Sequence, residues 1–284
     1  MGLFFRLSKN LFHFIPSFSS RASSQVPLTN FGMKEYGAHN STKRVLFLRH
    51  GQAEHNPRAE EAREKGCSHE TFLSLMKEDD SFDSDLTSLG VSQGRSVKKR
   101  YEAQLRDVEL VVSSPLSRAL KTADLAICPN EGLSSSDGRR FHPPRICVEH
   151  FREINGYLLN AKRRDRENLI QLFHSRWDFD TCIPETDETW TDSLESQEDC
   201  GERGYQGLLW VSQRKEDNIL VVCHGGILRF CMVDHPLVNV IDGRDDMGKR
   251  FGNCELREYD MVVDTSTGSN MERPVITLTE IEVD

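Results

Sequence analysis

The chain has 284 residues and a formal net charge of -9. That length suffices for one large alpha/beta domain with a developed core once an N-terminal extension is set aside. The acidic balance argues against nucleic acid and anionic membrane surfaces as partners, since both demand a basic face, and no apolar run approaches the ~18 residues of a membrane span.

Two segments are expected: an extension over 1–40 and a domain over 41–284. The first 34 residues hold four Lys or Arg and no Asp or Glu, with Phe4, Leu7, Leu11, Phe14 and Phe18 at helical spacing. That composition is similar to an organelle transit peptide, though an arm on a cytosolic protein fits it equally. The location is therefore cytoplasmic, or mitochondrial or plastid if 1–34 act as a transit peptide. Gly2 does not mark myristoylation, because Arg6 stands where Ser or Thr is needed.

The apolar run Val45-Leu46-Phe47-Leu48 predicts a buried strand that ends at Arg49-His50-Gly51, where glycine lets the backbone turn. A polar insertion of mixed charge follows over 57–85, and a helix is expected over 88–104. A strand over 108–113 runs through Ser113-Ser114-Pro115 into a helix over 116–126 that presents Arg118, followed by a Ser/Gly/Pro loop over 133–144. Ile146-Cys147-Val148 leads to Glu153 and Gly156. The basic run Lys162-Arg163-Arg164, continued by Arg166 at the start of a helix over 166–173, reads as a solvated face or as a contact for the distal end of an anionic substrate.

From Asp178 to Glu202 there are ten acidic residues and no Lys or Arg. An acidic loop lining the pocket mouth would repel a phosphate, so it is expected beside the pocket or paired with Lys162 to Arg166. Together with the 57–85 insertion it is expected to shape the substrate entrance. A helix over 199–215 carries Gly201, Gly204 and Gly207, which weaken it unless they permit close packing. The strand over 219–223 delivers His224-Gly225-Gly226, and closing strands are expected over 255–263 and 275–281. The eight cysteines form no CxxC pair, which is thiol usage for a reducing compartment.

Three strand ends bearing two histidines and two arginines describe a phosphate pocket. In phosphoryl transfer the protein supplies positioning and fixed positive charge, and Arg49, Arg118 and His224 provide it without a metal. His50 is the candidate nucleophile, because an ordinary imidazole is largely neutral near pH 7. Gly225 belongs to the phosphate-binding set. Glu153 is the candidate proton donor to the leaving alcohol, with a structural ion pair to Arg152 or Arg145 as the competing reading. Asn56 offers an amide to the phosphate, or is turn chemistry before Pro57. His50, Glu54 and His55 follow a strand and a glycine rather than a helix, so no metal and no cofactor is expected.

These residues carry a resemblance. Arg49-His50-Gly51-Gln52-Ala53-Glu54-His55-Asn56, Leu86-Thr87-Ser88-Leu89-Gly90-Val91-Ser92-Gln93, Ser114-Pro115-Leu116-Ser117-Arg118, Arg152-Glu153-Ile154-Asn155-Gly156 and His224-Gly225-Gly226 are similar to motifs of the histidine phosphatase superfamily. Lys162-Arg163-Arg164, Trp190 and 251–257 resemble later landmarks of its phosphoglycerate-mutase-like branch. The resemblance implies a three-layer α/β/α sandwich with a mostly parallel sheet, and ping-pong phosphoryl transfer through phospho-His50. The expected function is hydrolysis of phosphomonoesters of small metabolites. A phosphoglycerate mutase and a non-catalytic phosphate-binding relative are the alternatives. The expected partner is a small phosphorylated molecule; the oligomeric state is not legible.

Overall fold

A computed structural model describes residues 42–127, 133–134, 138, 140–173, 176–242, 250–265 and 273–281. The extension expected over 1–40, Cys128, and positions 135–137 and 139 of the 133–144 loop lie outside them. The elements in chain order are β1 (Lys43–Arg49), α1 (Pro57–Glu64), α2 (His69–Glu78), α3 (Ser88–Arg100), α4 (Glu102–Leu105), β2 (Leu110–Ser113), α5 (Ser117–Ile127), β3 (Leu133–Ser134), β4 (Arg140–Phe141), β5 (Arg145–Cys147), α6 (Arg166–Phe173), α7 (Gln197–Ser212), β6 (Asn218–Cys223), α8 (Gly225–Met232), β7 (Val238–Ile241), β8 (Leu256–Asp264) and β9 (Val275–Glu280).

The main sheet has seven strands in the order β5-β2-β6-β1-β8-β9-β7, and β3 pairs with β4 in a separate short ribbon. Only β8 runs against the others in that sheet. β1 alternates between two cores. Val45 and Phe47 face Tyr205 and Leu208 of α7 and Ile227 of α8, while Leu46 and Leu48 face Val97 of α3 and Leu120 of α5. The result is the expected helix–sheet–helix sandwich, with apolar β1, β2 and β6 buried on both faces as parallel strands require.

The glycines of α7 permit close packing. A Cβ on Gly204 would stand 2.5 Å from Cys231 Cβ, and one on Gly201 would stand 2.8 Å from Phe230 O. These spaces let α8 lie against α7 at backbone distance. The helix expected over 88–104 breaks at Tyr101, whose φ of -118° and ψ of 33° leave the helical region. The strand expected from 108 begins at Leu110. The polar insertion at 57–85 contains two helices, and α8 rises directly out of the His224-Gly225-Gly226 turn. No helix among the described residues is long and apolar enough to cross a membrane.

Candidate active site

β1 and β6 pair in parallel with Arg49 opposite Cys223, so His50 and His224 leave neighbouring strands at the same level. His50 N donates to Cys223 O at 3.0 Å, and the two imidazole rings lie 4.9 Å apart, tilted by 60°. The turn after β1 is held from both sides. Gly51 packs on Gly90, where a Cβ would come within 2.6 Å of Gly90 O, and Cys254 N donates to Arg49 O at 3.1 Å. Gly51 N also donates to Thr122 Oγ1 at 3.1 Å, which ties the turn to α5 and hence to Arg118.

His50 Nδ1 lies 2.6 Å from Gly51 O. A carbonyl only accepts, so Nδ1 carries the proton and Nε2 keeps a lone pair free for attack. Burial, followed by Arg118 and Arg49, pushes the His50 pKa well below the ordinary histidine value, which keeps the ring neutral. His224 Nε2 lies 2.7 Å from Ser114 Oγ, and its buried Nδ1 has no partner.

The arginines are fixed at one end and open at the other. Arg49 Nη1 donates to Phe251 O at 2.8 Å, Nη2 pairs with Glu60, and Nε is unpartnered. A Cβ on Gly225 would lie 3.3 Å from that Nε, so the glycine at the start of α8 gives the guanidinium its place. Arg118, fully buried, donates through Nη1 to Asn160 O at 2.7 Å, while Nε and Nη2 have no partner. Burial pushes the Arg118 pKa down to about 10, against the opposing pull of Glu153 and Asp83; it remains a cation at neutral pH.

Glu153 does not make the ion pair weighed for it. Arg152 instead grips Asp187 through two contacts of 2.8 Å, and Arg145 binds Asp124. The Glu153 carboxyl sits on the N-terminus of α8, accepting from Gly226 N and Ile227 N at 3.1 Å each and from Ile154 N at 2.9 Å. Gly226 leaves the room this carboxyl occupies, because a Cβ there would be 2.1 Å from Glu153 Oε1 and would displace it. Asn56 turns Oδ1 to Ala53 N at 3.1 Å, the turn chemistry weighed for it, which leaves Nδ2 as the donor end on a residue that lines the cleft.

His50, Arg49, Asn56, Glu153 and Gly225 line one cleft of about 510 Å³, with Arg118 and His224 buried behind it. The two insertions shape its entrance, as Cys67, His69, Phe72 and Met76 come from one, and Leu194 to Gln197 from the other. Lys162, Arg163 and Arg164 do not line it. Arg163 is buried on Glu149 and the Pro184 and Thr186 carbonyls, Arg164 pairs with Asp83, and Lys162 lies 4.4 Å over the Trp190 ring. Lys162 and Arg163 hold the acidic segment and Arg166 pairs with its Asp180, as expected for it, while Arg164 ties to the 57–85 insertion.

Two residues were not picked out by sequence reasoning. His55 is buried in the cleft with an unpartnered Nδ1, and burial, then Arg118 and Arg49, hold its pKa well below the usual range. Its place in the motif beside Asn56 was the available signal. Arg203 of α7 donates to His150 O, Arg152 O and Glu153 O and also binds Glu195, which fixes the loop that carries Glu153. An arginine in a helix of ordinary polarity gives no such signal. Among the described residues no group of three or more His, Cys, Asp or Glu could hold a metal ion.

The three buried imidazoles make stability depend on pH. His50, His55 and His224 all have folded pKa values lowered by burial first and by Arg118 next. Below pH ~6.5 the unfolded chain therefore binds more protons than the folded one. Their contribution to stability is full above that pH and is lost as pH falls. Thermal melting is expected to drop as pH is lowered from about 7.5 to about 5, with inorganic phosphate restoring part of the loss by favouring protonated rings. A melting temperature that rises on acidification, or a loss that phosphate leaves untouched, would contradict this.

A family model for the histidine phosphatase superfamily (branch 1) matches residues 45–240, most of the chain. The chain belongs to the histidine phosphatase superfamily. It is 31% identical over 264 residues to phosphoglycerate mutase-like protein 1 of Arabidopsis thaliana, covering 85% of this chain and 89% of that one. Phosphoglycerate mutase-like protein 2 of the same plant is 29% identical, with 86% of this chain and 82% of the relative covered. The solved ecdysone phosphate phosphatase of Bombix mori aligns over 81% of this chain and 97% of its own, at 16% identity and a TM-score of 0.48. This member of the histidine phosphatase superfamily is a hydrolase of the histidine phosphatase type.

Proposed function

We propose that the protein hydrolyses phosphomonoesters in two steps through a phosphohistidine on His50. The observation that carries this reading is the set of buried nitrogens without partners: Arg49 Nε, Arg118 Nε and Nη2, His55 Nδ1 and His224 Nδ1. Buried donors left unsatisfied are costly, and a phosphate at His50 supplies several acceptor oxygens at once. His50 Nε2 attacks phosphorus, the bond to the ester oxygen breaks, and Glu153 gives the leaving oxygen its proton. Water then attacks the phosphorus–nitrogen bond, Glu153 takes a proton back, and inorganic phosphate leaves. The arginines hold the equatorial oxygens throughout, where fixed charge matters most. Asn56 Nδ2 and the backbone at Gly225 complete the grip.

Water access favours hydrolysis over a mutase. A mutase keeps its phosphohistidine from water while an intermediate reorients. Here the exposed residues Ser68, His69, Ser196 and Gln197 line the cleft, which supports a site open to water at that side. Purified protein given phosphoglycerates and a panel of sugar and aryl phosphates is expected to release inorganic phosphate without any bisphosphoglycerate primer. Isomerisation of phosphoglycerate should be negligible beside it. Primer-dependent isomerisation outrunning phosphate release would overturn the phosphatase reading and leave the His50 assignment standing.

A further inference from the structure

Three arginines at the mouth of the cleft take no part in holding the scissile phosphate. Arg63 comes from α1, Arg229 from α8 and Arg250 from the segment before β8, and all three line the same cleft as His50. The acids near them are distant or already engaged. Glu60 stands 3.7 Å from Arg63 and is bound by Arg49, while Arg229 meets Asp234 only at 3.7 Å. Both separations exceed an ordinary hydrogen bond. Glu195 on the same rim belongs to Arg203. Like charges act on one another here: burial first, then Arg63 and Arg229, lower the Arg250 pKa.

Guanidinium groups that face a common space with only loosely held acids make a receptor for an anion. One of them is aimed, because Arg63 lies 4.7 Å over the Phe72 ring, which fixes the plane of its fork. The same cleft also has an apolar lining, contributed by Phe72, Leu73, Met76, Ile154 and Leu158. A cleft of about 510 Å³ accommodates far more than a phosphate group.

We propose that the substrate carries a second anionic group, a carboxylate or a second phosphate, joined to the scissile phosphate by an apolar spacer, and that Arg63, Arg229 and Arg250 hold that group. This rests on the hydrolase reading of the site. The recognition is chemically distinct from that at His50, as it involves no reacting bond and so acts through substrate binding rather than the chemical step.

The test is a matched set: butyl phosphate, the same chain ending in a carboxylate, the methyl ester of that carboxylate, and the chain ending in a second phosphate. At low salt, kcat/KM for at least one doubly anionic member is expected to exceed that for the neutral ester by ~10-fold or more, mainly through KM. The advantage should shrink as salt is raised. Which member leads distinguishes carboxylate from phosphate. In the triple variant Arg63→Gln, Arg229→Gln, Arg250→Gln the ratio is expected to fall to about one, with p-nitrophenyl phosphate showing that the variant folds and turns over. A neutral ester equal to both doubly anionic members, or a ratio unchanged in the triple variant, overturns the proposal. Should no compound release phosphate, the hydrolase reading fails and calorimetry of the corresponding phosphonates decides the subsite: tighter binding of a doubly anionic analogue supports it, and equal binding overturns it.

Discussion

His50→Ala is expected to lose turnover by ~10⁴-fold or more on every phosphomonoester, and brief exposure of the unsubstituted protein to labelled substrate is expected to yield an acid-labile, base-stable phosphoenzyme. Neither neighbouring imidazole is expected to take its place. His224 has its Nε2 committed to Ser114 Oγ at 2.7 Å, and only its Nδ1 is without a partner. His55 likewise offers a buried Nδ1, on a ring that follows the turn rather than the strand. The variant keeps both arginines, so phosphate should still raise its melting temperature, which separates loss of chemistry from loss of fold. Substantial activity in folded His50→Ala, or a label recovered on another residue, would sink the mechanism.

Glu153→Gln is the next most telling substitution. Alkyl phosphates need a proton on the leaving oxygen, so their hydrolysis should slow by ~10²-fold to ~10⁴-fold, whereas p-nitrophenyl phosphate, whose phenolate leaves unaided, should lose less than ~10-fold. A second effect accompanies this. The Glu153 oxygens together accept the Gly226 and Ile227 amides at the start of α8, and a glutamine presents a donor to one of them. A stability loss on the order of 1 kcal/mol is expected, as for removal of a helix cap. Equal kinetic losses on both substrate classes would move the acid elsewhere. Glu149 is occupied by Arg152 and Arg163, Glu60 by Arg49, and Glu54 is exposed.

The elements that deliver the chemistry were legible because their signals are local. Val45 to Leu48 and Ile219 to Cys223 are uninterrupted apolar runs, and a strand buried on both faces needs nothing else to declare itself. The helix at Arg166–Phe173 was expected with its observed bounds. What stayed hidden depends on partners distant in sequence. α1 buries only Ala59, so its eight residues carry almost no periodic pattern and read as a polar excursion. α8 opens with two glycines, poor helix formers, and is stabilised at that end by a glutamate seventy-three positions earlier. Arg163 read as part of a solvated face, yet it is buried because Glu149 comes to it from another segment, and Arg152, weighed as a partner of Glu153, is buried on Asp187 instead. The proposed second-anion rim was hidden for the same reason. The conspicuous basic run at 162–164 clamps loops, and the arginines that face the cleft are isolated in sequence at 63, 229 and 250.

The pairing of β1 with β6 sets the scale of the reaction. Strands in a sheet stand about 4.8 Å apart, and the two catalytic imidazoles, each one residue beyond the last paired position, have centroids 4.9 Å apart. The backbone hydrogen-bond ladder is thus the ruler that spaces nucleophile and charge donor. No loop mutation can easily stretch it, and a slip of β1 by one residue would turn His50 to the opposite face of the sheet. On the proposed mechanism, reaction geometry and substrate choice are mechanically separate: the sheet rules the first, while the α1–α2 and 194–197 segments line the cleft and can change without disturbing the pairing of β1 with β6.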